Sequence, residues 1–436
     1  MSLEEAGVPT VAIHTHVFAR LAEAVALAGG MPTTRQAYVP QPLVGVTADG
    51  LRDYIHGTDP IHDRPFMQEL IEGLSAPLND NDLNGVSFER PTEKFLEPDT
   101  EDNLRQLFED NHWTDFMPIV LPTEERVAAM LKGTSHAPDE VVGRLRPTAF
   151  REFWEFTVEK VAVNAVMAGC RPEYLPVVLA HAASGVTARS SSTTSFASFS
   201  VVNGPVRGEI GMSDGIGAMG PHNHANVSIG RAYNLLSVNL QGGSEPGDTY
   251  MGSLGNPMNY ALTFAEAEER SPWRPLHVQR GFKPEDSTVS VFHGGRYNIA
   301  GFGPRQTWAE QFKRAFAACQ HNLVPTLIVD PITARQFVDL GFDSKEKLAA
   351  WLAENGTLPA REYWDDLWVQ TLQLPMARAG VEPFASKLKA GPEEEVTLFE
   401  PEDINIVVTG GETQGAWKLI AGKLTKEATI SVDEWR

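Results

Sequence analysis

The chain has 436 residues, 42% hydrophobic and 21% charged, an ordinary globular composition long enough for two or three domains. Its 57 acidic residues outnumber 36 basic ones, for a net charge of −21. With no basic patch interleaved with aromatics, that charge repels phosphate backbones and excludes nucleic acid as an expected partner.

The N-terminus carries Glu4 and Glu5 where a signal peptide would be positive, and no long apolar run follows. No stretch approaches the roughly 20 apolar residues of a membrane helix, so no membrane partner is expected. Two cysteines, Cys170 and Cys319, are too few for a disulfide framework or a cysteine-based zinc site. The expectation is a cytoplasmic protein with reduced thiols.

In chain order, Val11–His14 reads as a short strand and Val17–Ala28 as a helix stopped by Gly29-Gly30. Gln36–Pro40 reads as a second strand. Leu51–Tyr54 lies in a helix capped near Thr47 or Asp49, and Asp63-Arg64-Pro65 opens another, with Asp63 as N-cap. This strand–helix–strand (Rossmann-like) unit has too few strands to stand alone, because parallel strands need covered faces and paired edges. The missing strands must come from elsewhere in the chain or from another chain.

Helical pieces follow near Thr100–Asn111 and Pro122–Lys132, each opened by Thr/Pro with acidic residues in the first turn. A helix pair spans Thr157–Ala180. A Ser/Thr-rich stretch (Ser190–Ser195), the run Val201–Val206 and a glycine-rich segment from Gly208 to Gly230 come next. The last third alternates a helix through Trp308–Cys319, a strand at Val324–Val329, a helix near Thr333–Leu340 and a strand at Ile404–Val408. No internal repeat is evident. The expected class is α/β: an incomplete N-terminal unit (1–80), a loop-rich connection (81–150), a central region holding the site (151–310) and a C-terminal α/β region (311–436).

Three segments are candidates for chemistry. In TVEKVAVNAVMAGCRPEYLPVVLA, the polar residues Glu159, Asn164 and Cys170 interrupt an apolar run. Unpartnered buried polar groups cost roughly 1–3 kcal/mol each. An unbroken helix would place Glu159 and Cys170 about 20° apart on one face. Gly169 and Pro172, however, put Cys170 at a joint between two helix ends with opposite effects on a thiol. Cys170 and Glu159 are the candidate nucleophile and acid–base group; the competing reading is a small cysteine packed at a helix corner.

In VVNGPVRGEIGMSDGIGAMGPHNHANVSIGR, Gly215, Gly217 and Gly220 match G-x-G-x-x-G without a preceding strand, so a dinucleotide fingerprint is weak. The reading that remains is a glycine loop before a helix starting near Asn223–Asn226. There Asn203, Gly204, Gly220, Asn223, Asn226 and Arg231 would bind an anionic substrate group; the competing reading is a tight turn. His222 and His224, with Glu209, Asp214, Glu266, Glu268 or His277 as a third ligand, could hold a divalent metal, although no H-E-x-x-H spacing supports it. In Glu266-x-Glu268-Glu269, carboxylates converging in a cleft could act as acid and base, with Glu268 the candidate; the competing reading is a solvated helix end.

AGVPTVAIHTHVFARLAEAVALAGGMP, followed by AYVPQPLVG, resembles the C-terminal half of the small proteins named for a UGSC or CGSC motif. EKVAVNAVMAGCRPEYLPVVLA, VNGPV…GPHNHANVSIGRA, SPWRPLHVQRGF and INIVVTGGETQG resemble the larger proteins associated with that family. UGSC or CGSC itself occurs nowhere in the sequence, and the resemblance places that motif upstream of residue 1. It implies a small CGSC/UGSC-type subunit as partner in a hetero-oligomer, supplying the missing strands and a reactive cysteine.

The expected function is that of an enzyme acting on a small polar organic substrate, by redox chemistry or carbon–heteroatom bond cleavage. The alternatives are a metal-dependent hydrolase or lyase centred on His222 and His224, and a non-catalytic subunit supporting a small partner.

Overall fold

The computed structural model describes the whole chain except residues 1–7, 29–32, 44–45, 78–93, 146–153, 189–196, 221, 242–251, 253, 257, 259–261, 296–297, 305, 320–323, 423 and 425–427. The Gly29-Gly30 stop and the Ser190–Ser195 stretch therefore lie outside the described residues.

The N-terminal unit takes the expected strand–helix–strand form. Strand β1 (Ala12–Thr15) leads into helix α1 (Ala19–Ala28) and then β2 (Gln36–Val39), which pairs parallel to β1 from Ala12↔Gln36 to Thr15↔Val39. These two strands form a sheet of their own. Helix α2 (Ala48–His56) is capped by Thr47, whose hydroxyl accepts from the Gly50 amide.

The next helix, α3, begins later than the sequence suggests, at Phe66 (Phe66–Ser75), and has no side-chain cap. Pro65 disfavours helical geometry at the residue before it. Arg64 instead stays extended in β4 (Arg64–Pro65), paired with β3 (Thr58–Asp59), and Asp63 forms the turn at φ 53°. The small core of this unit joins Ala37, Val39 and Phe66 to Val11, Tyr54 and Leu70.

Helices α4 (Glu101–Asp110) and α5 (Glu124–Met130) are capped by Thr100 and Thr123, as their sequences suggest. A hairpin of β5 (Val141–Leu145) and β6 (Trp154–Thr157) leads into α6 (Val158–Met167), capped by Thr157. Gly169 at φ 81° ends α6, and Pro172 opens a short turn into α7 (Leu175–Ala183).

The remaining chain builds two four-stranded sheets. The first has the order β16–β9–β7–β8, with β7 (Ala197–Asn203) parallel to β8 (Leu262–Ala265) and antiparallel to β9 (Thr288–Gly295). The second has the order β10–β15–β11–β14, with β11 (Pro325–Val329) parallel to β14 (Asn405–Val408) and antiparallel to β15 (Ala416–Ala421). Helices α8 (Val206–Glu209) and α9 (His224–Gln241) lie between β7 and β8; α10 (Leu276–Gln279) follows β8. Helices α11 (Trp308–Ala317), α12 (Pro331–Asp339) and α13 (Lys345–Asn355) serve the second sheet, and a small β12–β13 pair (Thr357–Pro359, Glu395–Thr397) stands beside it.

The alternation of each strand sorts its side chains into layers. Ala197, Phe199 and Val201 of β7 pack with Ile328, Val407 and Ile420, so the two sheets stack face to face, with the Phe199 and Phe292 rings stacked at 4.5 Å. Val202, Val289 and Val291 turn instead toward α6, α7 and α9, while Leu327, Val329, Ile406 and Val408 turn toward α11, α12 and α13. The result is a four-layer helix–sheet–sheet–helix sandwich.

The two sheets also repeat one topology, which the sequence does not reveal. Each half runs strand, helices, parallel strand, antiparallel strand. Each then sends its next strand to the other sheet: β10 (Asn298–Phe302) pairs with β15, and β16 (Thr429–Ser431) pairs with β9. Among the described residues, no helix is long and apolar enough to cross a membrane.

Candidate active site at the seam of the two sheets

Open α/β sheets gather ligands beyond the carboxyl ends of their parallel strands. Here the carboxyl ends of β8 and β14 meet. The Ala267 amide donates to the Val408 carbonyl at 2.7 Å, and the Thr409 hydroxyl donates to the Ala265 carbonyl at 2.8 Å.

Around this seam lies a buried polar network. Glu266, fully buried, accepts from Lys345 Nζ (2.7 Å), Asn203 Nδ2 (2.7 Å) and the Leu276 amide (2.7 Å). Glu268 accepts from Asn203 Nδ2 (2.9 Å) and the Gly204 amide (2.8 Å), and Arg207 Nε stands 3.2 Å from it. Arg207 also donates to Glu269 at 2.9 Å and to the Glu266 carbonyl at 2.7 Å, and this guanidinium holds the Glu269 carboxyl below its usual range. Arg270 ties the glycine loop to the seam through Asp214 Oδ1 (2.8 Å) and the Gly410 carbonyl (2.9 Å).

The backbone at β7 is built for this meeting. Gly204 sits at φ 82°, where a Cβ would lie 2.1 Å from the Asp286 carbonyl oxygen, so only glycine delivers its amide to Glu268. Two buried side chains in the network are incompletely satisfied. Neither ring nitrogen of His277 nor Oδ1 of Asn203 has a hydrogen-bond partner among the described residues. His277 Nδ1 lies 3.9 Å from Glu268 Oε1, too far for a direct bond. Unpaired buried polar groups usually mark a water or ligand position. Glu268 retains 12% exposure of its side chain, so the network reaches solvent there.

A polar cleft of about 350 Å³ opens on one flank of the network. Leu276, Gln279, Arg280, Lys345, Asn405 and Glu402 are among its lining residues. Lys345 therefore faces the cleft and, behind it, Glu266.

The structure brings Asn203, Gly204 and Glu268 together here, along with Glu266, Glu269, Asp214 and His277, which the sequence offered as neighbouring carboxylates or as a third metal ligand. The others have local partners whose bonds do not reach Glu268. Asn164 donates to the Lys160 carbonyl (2.9 Å) and accepts from Asn239 (2.7 Å), linking α6 to α9. Glu159 pairs with Lys94 at 2.8 Å. Cys170 packs against the helical core, where burial pushes its thiol up to about 12, against weaker downward pulls from Ser228 and Arg231.

Asn223 caps α9 by accepting from the Asn226 amide. Asn226 in turn binds Ser213 at both amide and carbonyl and the Ala218 carbonyl, so its side chain is spent holding the glycine loop. Gly220 closes a turn onto the Gly217 carbonyl. Arg231 grips Asp115 through two nitrogens, at 2.9 and 3.0 Å. His222 and His224 are exposed, and His224 Nδ1 lies 3.4 Å from the Tyr174 hydroxyl. Among the described residues no group of three or more His, Cys, Asp or Glu side chains is disposed to hold a metal.

The sequence reading missed Arg207, Lys345 and Arg280. Arg207 and Arg280 could have been suspected only as basic residues beside glycine and proline turns, and Lys345, directly after a helix cap, reads as a solvated side chain.

Residues 1–58 match the sequence model of the UGSC family, which is consistent with a protein associated with that family. The match covers β1, α1, β2 and α2 and ends before the sandwich and its seam. No curated protein matches the chain.

Proposed function

We propose that the chain is an enzyme that moves protons on a small polar organic substrate at the seam, in the class of carbon–heteroatom bond cleavage. The observation that carries this reading is Glu268. It is a nearly buried carboxylate with two hydrogen-bond donors, a guanidinium nitrogen at 3.2 Å and a small exposed face, set 3.9 Å from a buried histidine that has no hydrogen-bond partner among the described residues.

In this scheme Glu268 takes the proton from the carbon next to the C–heteroatom bond, and a double bond forms as that bond breaks. His277, bridged to Glu268 through water or substrate, passes a proton to the departing heteroatom. Asn203 and the Gly204 amide hold the carboxylate's orientation, and Arg207 balances its charge. A thiol mechanism at Cys170 is the weaker version, because a thiol held near 12 carries almost no thiolate at neutral pH. Two free cysteines fit a cytoplasmic setting.

The test is to incubate the purified chain in D2O with a panel of small hydroxy acids, amino acids and amides, following deuterium uptake and product by NMR. Glu268→Gln should lower turnover by about 10²–10⁴-fold while the fold is retained; His277→Gln serves as a second variant. Undiminished turnover in both folded variants would remove the seam from the chemistry.

A second reading concerns partners. β1 and β2 form a sheet by themselves, and Met67, Ile71 and Leu74 leave an exposed apolar stripe along α3. Both fit a small partner chain that completes this unit, as a hetero-oligomer would require. A monodisperse monomer at micromolar concentration, unchanged by a candidate partner, would count against it.

A further inference from the structure

Arg280 is a half-buried cation with no anionic partner among the described residues. Its guanidinium bonds to Asn405 Oδ1, and no carboxylate lies within ion-pair range of it among the described residues. The other arginines described around the seam and its loop contrast with it: Arg207 holds Glu268 and Glu269, Arg231 holds Asp115, and Arg270 holds Asp214. A desolvated charge is normally kept only with a partner. Arg280 lines the cleft beside Asn405, Gln279 and Lys345.

The other charges on the cleft are accounted for. Lys345 is neutralised by Glu266 at 2.7 Å. Glu346 is bound by Arg274 and Gln279, each at 2.9 Å. Glu402 stands on the exposed rim, where solvent screens it.

We propose that this cleft is an oxyanion-binding site, in which Arg280, with Asn405 orienting its fork, receives the carboxylate or phosphoryl group of a small molecule. A planar guanidinium with free N–H groups suits two-point recognition of such a group. The inference deepens the proposed function by naming a substrate class, and rests on it only in calling the bound anion a substrate. Burial with no compensating charge lowers the affinity of Arg280 for its own proton, as expected of a cation held ready for an absent anion.

The test uses the intact chain and two probes, inorganic phosphate and malonate, titrated calorimetrically at constant ionic strength in chloride. Saturable one-to-one binding of at least one probe is expected, and the preferred probe separates phosphoryl from carboxylate recognition. Arg280→Gln should weaken it at least tenfold, Arg280→Lys less, and Glu402→Gln should strengthen it. Glu268→Gln should bind the anion normally while losing turnover, so the anion site and the acid–base reading can fail separately. If Arg280→Gln does not fold, phenylglyoxal labelling of the wild type replaces it, and the bound anion should protect Arg280. The proposal is overturned by absence of saturable binding of either probe at tens of millimolar, by equal affinity in folded Arg280→Gln, or by labelling of Arg280 that neither probe slows.

Discussion

Replacing Lys345 with Met tests whether the seam network is a closed electrostatic unit. Among the described residues, Lys345 Nζ is the only cation bonded to the fully buried Glu266, at 2.7 Å, and the other donors to that carboxylate are neutral: Asn203 Nδ2, the Leu276 amide and, more distantly, the Val408 amide at 3.5 Å. Removing one partner of a buried pair leaves an uncompensated charge and costs about 3–5 kcal/mol. Three neutral donors remain, so the lower half of that range is expected, with a fall in Tm of about 3–6 °C for a chain of this length. The double variant Glu266→Gln/Lys345→Met removes both charges and should recover most of the loss, because the amide keeps an acceptor for the Leu276 amide. Thermal and urea unfolding of wild type, both single variants and the double variant give the coupling directly. A Lys345→Met protein within 1 °C of wild type, or a double variant no better than the single, would refute the description of the seam as a buried ion pair.

Other expectations follow from the same structure. His181 is buried, donating from Nδ1 to the Val177 carbonyl and accepting at Nε2 from Ser200, and burial pushes it down to about 4. Its folded pKa lies below the unfolded value near 6.5, so the stability it contributes is complete above pH 6.5. That stability is lost as pH falls from 6.5 toward 4, by roughly 3 kcal/mol in all; the slope should flatten in His181→Gln, read from unfolding midpoints across that range. Cys170 should react with iodoacetamide at pH 8 at least a hundredfold more slowly than free cysteine, since a thiol near 12 supplies little thiolate, and Cys170→Ser should keep turnover. Gly204→Ala puts a methyl 2.1 Å from a backbone oxygen at positive φ, and should cost several kcal/mol or prevent folding, scored by soluble yield and Tm.

Much of the local structure could be read in the sequence because its causes are local. Thr47, Thr100, Thr123 and Thr157 cap their helices, Gly169 and Pro172 make the joint at Cys170, and Asn223 starts α9. Where a local signal was misread, a neighbour overrode it: Asp63 looked like a cap, but Pro65 keeps Arg64 extended and delays the helix to Phe66. Glu268, Asn203 and Gly204 were identifiable as candidates by residue type and turn context. Their convergence was not, because it depends on β7 pairing with β8 some sixty residues later. Lys345 meets Glu266 across 79 positions, and nothing near either residue announces the other. The exchange of β10 and β16 between sheets is likewise a property of long-range pairing, and the two halves conceal it by differing in side chains and loop lengths. The polar residues of α6 show the reverse case. Asn164 looked functional because it is buried, yet Lys160 and Asn239 account for its amide and carbonyl.

The central claim is that chemistry belongs to the seam rather than to the helix joint at Cys170. Hydrogen exchange by mass spectrometry, with and without the first compound that the D2O screen shows to be turned over, tests it most directly. Protection should appear at the Gly204 turn, across residues 266–280 and at the start of α13 near Lys345. Protection confined to residues 159–173 and 222–231, with the seam unchanged, would contradict the account.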